Sequence, residues 1–89
     1  MSRELPKPGT TVILRKRPFM RTTPALRPVI DVFAIVREIN HHDVRVELKG
    51  QPFEAYIPKR FFLSAGSTLD ANPPVISIPD KFVIETLPL

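Results

Sequence analysis

The chain has no cysteine, no tryptophan and only three glycines among its 89 residues. Without cysteine there is no disulfide, no thiolate nucleophile and no Cys-based zinc site. Three scattered glycines make no glycine-rich phosphate loop, and G-x-S-x-G does not occur. Long apolar runs are missing as well. The longest, Val32-Phe33-Ala34-Ile35-Val36, is far short of the ~20 residues that span a bilayer. Met1 to Thr11 lacks the apolar core of a signal peptide. The expectation is a soluble, cytoplasmic chain without membrane contact.

Proline, by contrast, is abundant. Eleven prolines in so short a chain argue against long helices and for short strands joined by stiff loops. Hydrophobic residues at 43% and charged residues at 25% suit a globular domain rather than a disordered one. The length allows one small domain, which buries only roughly 60–65% of its unfolded surface.

The net charge of +4 is unevenly placed. Arg15, Lys16, Arg17, Arg21 and Arg27 fall between positions 15 and 28 with no acid among them. The rest of the chain is close to neutral, so the positive excess belongs to one segment.

Residues 1–9, with Pro6 and Pro8 flanking Lys7, read as an extended arm. Thr10 to Lys16 reads as a first strand, with Val12 and Leu14 on one face. The stretch from Arg17 to Pro28 has no hydrophobic period and carries Pro18, Pro24 and Pro28, a long loop of the kind usually kept for function. Val29 to Ile39 is apolar on both faces, with Ile30, Val32, Ala34 and Val36 on one and Phe33, Ile35 and Ile39 on the other. That pattern predicts a central strand. Asn40-His41-His42-Asp43 is a polar turn, and Val44 to Lys49 alternates throughout, completing a hairpin.

Gly50 and Pro52 mark the next turn, and Phe53, Ala55 and Ile57 alternate with Glu54 and Tyr56 as a half-buried strand. Pro58 stops it, having no N–H for the ladder. Lys59, Arg60, Phe61 and Phe62 form one tight turn with aromatics inward and charges outward. Val75 to Ile78 and Phe82 to Leu87 read as two further short strands, split by Pro79-Asp80.

The run Ala55-Tyr56-Ile57-Pro58-Lys59-Arg60-Phe61-Phe62 resembles the strand, proline and aromatic turn of SH3-like barrels. Tyr56, Ile57, Pro58 and Phe61 match; Ala55 stands at the usual glycine and Phe62 at the usual aliphatic. The resemblance covers roughly residues 10–66. It implies an all-β fold: a small antiparallel SH3-like barrel with a long first loop, one single-turn 3-10 helix and a C-terminal β extension. The corresponding division is an arm over 1–9, a barrel over 10–69 and an extension of the same domain over 70–89. In the family, the proline and second aromatic line a groove for proline-rich peptides, here Pro58 and Phe61. The basic first loop and the missing tryptophan set that activity aside, because the family pairs an acidic loop and an aromatic wall with its ligand.

Catalysis finds no support in the residues. His41 and His42 are neighbours in a turn and read as solvated, Asp31 and Glu38 are too scattered for an acid–base pair, and nothing calls for a cofactor or a metal. The expectation is a non-catalytic interaction or assembly module. It would dock on a larger protein or nucleoprotein complex with an acidic surface, through the basic loop and the apolar termini. The alternative is nucleic-acid binding, with cations on phosphates and an aromatic as stacking face. Five loop charges on B-DNA phosphates would give a log–log salt slope of roughly −4.5. For either reading the candidate residues are Arg15, Lys16, Arg17, Phe19, Arg21, Arg27, Tyr56, Lys59, Arg60 and Phe61. The apolar stretches 75–78 and 82–89 would either cover an open edge or add strands to another subunit, a homo-oligomer included.

Overall fold

A computed structural model describes residues 4–16 and 30–89. Within them the chain is mostly β. Six strands run β1 Thr11–Lys16, β2 Ile30–Ile39, β3 Asp43–Leu48, β4 Phe53–Pro58, β5 Val75–Ile78 and β6 Thr86–Pro88, with one helical turn, α1 Lys59–Phe62, after β4. They form a single sheet in the order β5-β1-β2-β3-β4-β6.

The first four strands follow the alternation in the sequence. Val12 and Leu14, Ala34 and Val36, Val44, Val46 and Leu48, and Ala55 and Ile57 are all buried on one face. Ile76 and Ile78 of β5 extend that face, and Phe61 and Phe62 of α1 lie over it. β2, apolar on both faces, is interior to the sheet as its pattern predicts. A register shift between Val36 and Glu38 turns the end of β2 over. Ile39 thereby faces Val44 on the core side rather than sharing a face with Phe33 and Ile35. Gly50 holds φ 79° in the tight turn between β3 and β4, a conformation suited to a residue without Cβ. At the other end, Gly9 with φ 94° turns the chain so that its N–H donates to the Val36 carbonyl at 2.7 Å. Leu5 in the arm packs on the core from there.

Three features differ from the expected antiparallel barrel. First, the sheet is mixed: β5 runs parallel to β1, Leu14 facing Ile76. Residues 59–74 form the long connection that carries the chain from β4 to that side of the sheet. Second, the sheet of described residues is open, since β5 and β6 are its edges and do not pair with each other. Both run in the direction of β1, so residues 79–85 must return across the core face from one edge to the other. Phe82 and Ile84 pack on the core along this crossing. The edges of a flat six-stranded sheet would lie roughly 24 Å apart, close to the full extended reach of the crossing, so the crossing has little slack. Third, α1 is an α-turn rather than a 3-10 turn, because Leu63 N–H reaches back four residues to the Lys59 carbonyl at 3.3 Å. The segment Phe82 to Leu87 is also strand only from Thr86 onward.

The β5 edge is covered. Val75 exchanges both backbone bonds with Thr68, at 2.8 and 3.0 Å, and the next outward N–H, that of Ser77, donates to Ser67 Oγ at 2.9 Å. Ser67 is buried and its hydroxyl in turn donates to the Phe61 carbonyl at 2.6 Å, tying α1 to β5.

Candidate functional site

The basic segment begins on β1, and its first two charges are engaged by the fold. Arg15 faces Asp31 across the β1–β2 ladder. Its Nε and Nη2 donate to the two carboxylate oxygens at 2.9 and 3.1 Å. The bidentate bond holds the Asp31 carboxyl below its ordinary range, against the opposing effect of burial, and holds the Arg15 guanidinium above its own. Lys16 points to the core side of the same strand, where its ammonium donates to the Phe82 carbonyl. Arg17, Phe19, Arg21 and Arg27 lie outside the described residues.

The remaining candidates cluster at the end of β4. Tyr56 is exposed on the outer face, opposite Arg45 in the register. The Lys59 N–H donates to the His42 carbonyl at 2.9 Å, and the Lys59 side chain is half-buried. Arg60 is exposed, with its guanidinium 4.8 Å from the centroid of the Phe61 ring. Phe61 itself is only 7% exposed, its ring edge-on to Phe82 at 4.9 Å and 84°, so it serves packing rather than contact with a partner.

On the sheet, β2 and β3 separate Arg15 from Tyr56, so those two share no patch. Lys16 is drawn toward α1 instead, since Phe82 bonds Lys16 through its carbonyl and packs on Phe61 through its ring. The sequence reading did not single out Phe82. Its signal was present: an aromatic that follows a Pro-Asp turn and opens an alternating apolar run.

The outer face is balanced in charge. Arg37 bonds Glu47 at 2.5 and 2.7 Å, and Arg45 reaches Glu54 at 3.0 Å and Glu38 at 3.3 Å. The bond to Glu54, supported by that to Glu38, holds the Arg45 guanidinium above its ordinary range. Of the thirteen basic residues, Arg3, Arg17, Arg21 and Arg27 lie outside the described residues, leaving nine against nine acids. The described surface is therefore neutral overall.

Among the described residues, Phe33 and Ile39 on β2 and Leu63 after α1 are exposed, and the two most exposed large apolar side chains, Val83 and Leu89, lie on the strip along β6. Val83 is 70% exposed, Leu89 63%, Leu87 47% and Tyr56 41%. Between Tyr56 and the strip 82–87 lies a groove of about 240 Å³, lined by Tyr56, Phe82, Val83, Glu85 and Leu87. A second, more polar hollow of about 520 Å³ lies beside β5, between Arg15, Thr68, Ser77 and Asp80.

His41 and His42 are exposed in their turn, rings edge-on at 4.4 Å. Among the described residues no group of three or more His, Asp or Glu is placed to hold a metal ion. No helix among them is long and apolar enough to cross a membrane. No protein-family model, curated protein or solved structure matches the chain.

Proposed function

We propose that the chain is a non-catalytic interaction module, an SH3-like small barrel in its finer fold, that docks on a larger protein or nucleoprotein complex. The observation that carries this reading is the strip formed by Tyr56, Val83, Leu87 and Leu89. Four large apolar side chains stand exposed along one sheet edge, beside a shallow groove, next to an outer face whose arginines Arg37 and Arg45 are bonded to glutamates. Burying a fully exposed side chain of this kind gains roughly 1.5–3 kcal/mol, and these four, already partly covered, would each gain a fraction of that. The test is the native size of the chain in extract of its own cells, wild type against a Val83→Glu/Leu87→Glu variant. Migration well above the 10.1 kDa of the chain, lost in the variant, is expected. Migration of the wild type at its own size would overturn the reading.

A second reading, nucleic-acid binding, is favoured by one observation: the whole positive excess lies on Arg3, Arg17, Arg21 and Arg27. With Arg15 bonded to Asp31 and Lys16 to a carbonyl, Arg17, Arg21 and Arg27 are left from the basic segment for phosphates. The expected log–log salt slope on duplex DNA falls to roughly −2.7. Absence of binding at low salt would remove this reading.

A further inference from the structure

We propose that residues 82–89 pair with the same segment of a second copy of the chain, antiparallel and centred on Thr86. The proposal rests on reading that strip as a docking surface, and names its partner.

The phase of the β4–β6 ladder sets which backbone groups are available. Leu89 N–H donates to the Pro52 carbonyl at 3.1 Å, and Leu87 stands opposite Glu54. In an antiparallel ladder hydrogen-bonded pairs alternate. Leu87 and Leu89 therefore point their backbone groups at β4, while Thr86 and Pro88 point theirs outward. Pro88 has no N–H, and at this position the β4–β6 ladder loses nothing by it. Residues 82–85, where the crossing reaches this edge, are not strand, but their burial alternates in the same phase: Phe82 and Ile84 pack on the core, while Val83 and Glu85 are exposed.

A two-fold axis through Thr86 uses these groups well. Thr86 exchanges two bonds with Thr86 of the second copy. Ile84 N–H of each chain meets the Pro88 carbonyl of the other, adding two more. The missing N–H of Pro88 falls opposite the Ile84 carbonyl alone. The same register sets Val83, 70% exposed, against Leu89, 63% exposed, at both ends of the pair. Neighbouring registers do worse. Centring on Glu85 puts two carboxylates directly opposite each other. Centring on Leu87 sets Pro88 opposite Thr86, so each of those two central pairs keeps one bond of its two. The sheet's other edge is the poorer site, since Thr68 and Ser67 already bond both backbone groups of Val75 and the Ser77 N–H.

Sedimentation equilibrium of the purified 89-residue chain, from about 1 µM to about 1 mM, tests the proposal. A monomer–dimer equilibrium is expected for the wild type. Thr86→Pro removes the central donor, which the monomer leaves outward, and should abolish the dimer without moving the thermal midpoint. Pro88→Val restores the missing N–H in each copy and should tighten the dimer roughly thirtyfold, the effect of two net hydrogen bonds. Should Thr86→Pro fail to fold, Val83→Glu decides, since a side chain so exposed can change without touching the core. Wild type and Pro88→Val both monomeric throughout, or a dimer indifferent to Thr86→Pro and Val83→Glu, would overturn the proposal. A purified monomer that still migrates as a large species in extract would sink self-pairing and leave docking on a different partner in place.

Discussion

Phe62 is the largest fully buried side chain among the described residues, and it supplies the apolar anchor of α1 beside the bonds from Lys59 N–H to His42 and from Ser67 to the Phe61 carbonyl. The helix is a single turn of four residues, with no side-chain bond capping its start. So short a helix is unstable by itself, because nucleation costs more than one turn of hydrogen bonds returns. The burial of Phe61 and Phe62 supplies the apolar part of what holds it over the core. Phe62→Ala should cost about 3–5 kcal/mol, transfer and cavity together. A domain of 89 residues has a total of about 4–13 kcal/mol. The variant should therefore lose at least about 12 °C in thermal midpoint, and much more if stability lies at the low end. Phe62→Leu keeps most of the volume and should cost less than about 1.5 kcal/mol. Urea unfolding of the three proteins at one temperature measures this. A Phe62→Ala loss under about 1 kcal/mol would refute the idea that the aromatic turn closes the core, and with it the packing order argued here for residues 59–85.

Ser67→Ala removes the partner of the Ser77 N–H and should cost about 1–3 kcal/mol in urea unfolding. Ser64→Ala should cost less, because the Phe61 carbonyl keeps its bond from Ser67. Asp31, held below its ordinary value near 3.8 by Arg15, stabilises the fold fully above that value and loses the contribution as pH falls through its lower folded value. The urea midpoint of Asp31→Asn should therefore be less sensitive to acid than wild type below about pH 4, with parallel profiles between about pH 5 and pH 8. Gly50→Ala meets nothing within 4 Å, so its cost is backbone strain alone, about 1 kcal/mol, read as a lowered thermal midpoint.

Strands β1 to β4 and the aromatic turn were legible because each is written locally. Val44 to Leu48 alternates, Pro58 ends β4, and Phe61 and Phe62 follow at once. Alternation reports which side chains share a face, and a proline reports where a ladder stops. The direction of β5 was not legible. Val75 to Ile78 reads the same whether it runs with β1 or against it, and the choice depends on a long connection with no period of its own. The bulge at Arg37 was hidden for a related reason, since one extra residue leaves the apolar composition of β2 unchanged while moving Ile39 to the other face. In the candidate site, Lys59, Arg60 and Tyr56 were readable from the turn that holds them. The pairing of Arg15 was not, because Asp31 lies beyond the acid-free window and only the β1–β2 register brings it alongside. The burial of Phe61 followed from its place in the turn, yet its partner Phe82 sits twenty-one residues away.

The two functional readings occupy different parts of the chain, and Lys16 is where they meet. Positive excess follows β1 in sequence; the apolar strip follows Phe82. The bond from the Lys16 ammonium to the Phe82 carbonyl joins the two starting points. Phosphate binding by Arg17, Arg21 and Arg27 would act through charge, steeply weakened by salt. Docking through Val83, Leu87 and Leu89 acts through apolar burial, which added salt screens little and kosmotropic salts strengthen. Salt dependence therefore separates the readings even where both operate, provided each is measured with the other's residues intact. Lys16→Met should disturb them unequally. It removes one charge of the basic segment and also the donor that fixes the Phe82 carbonyl. Weakened self-association in that variant, at unchanged salt dependence, would show that Lys16 serves as an anchor for the strip rather than as a cation for a ligand.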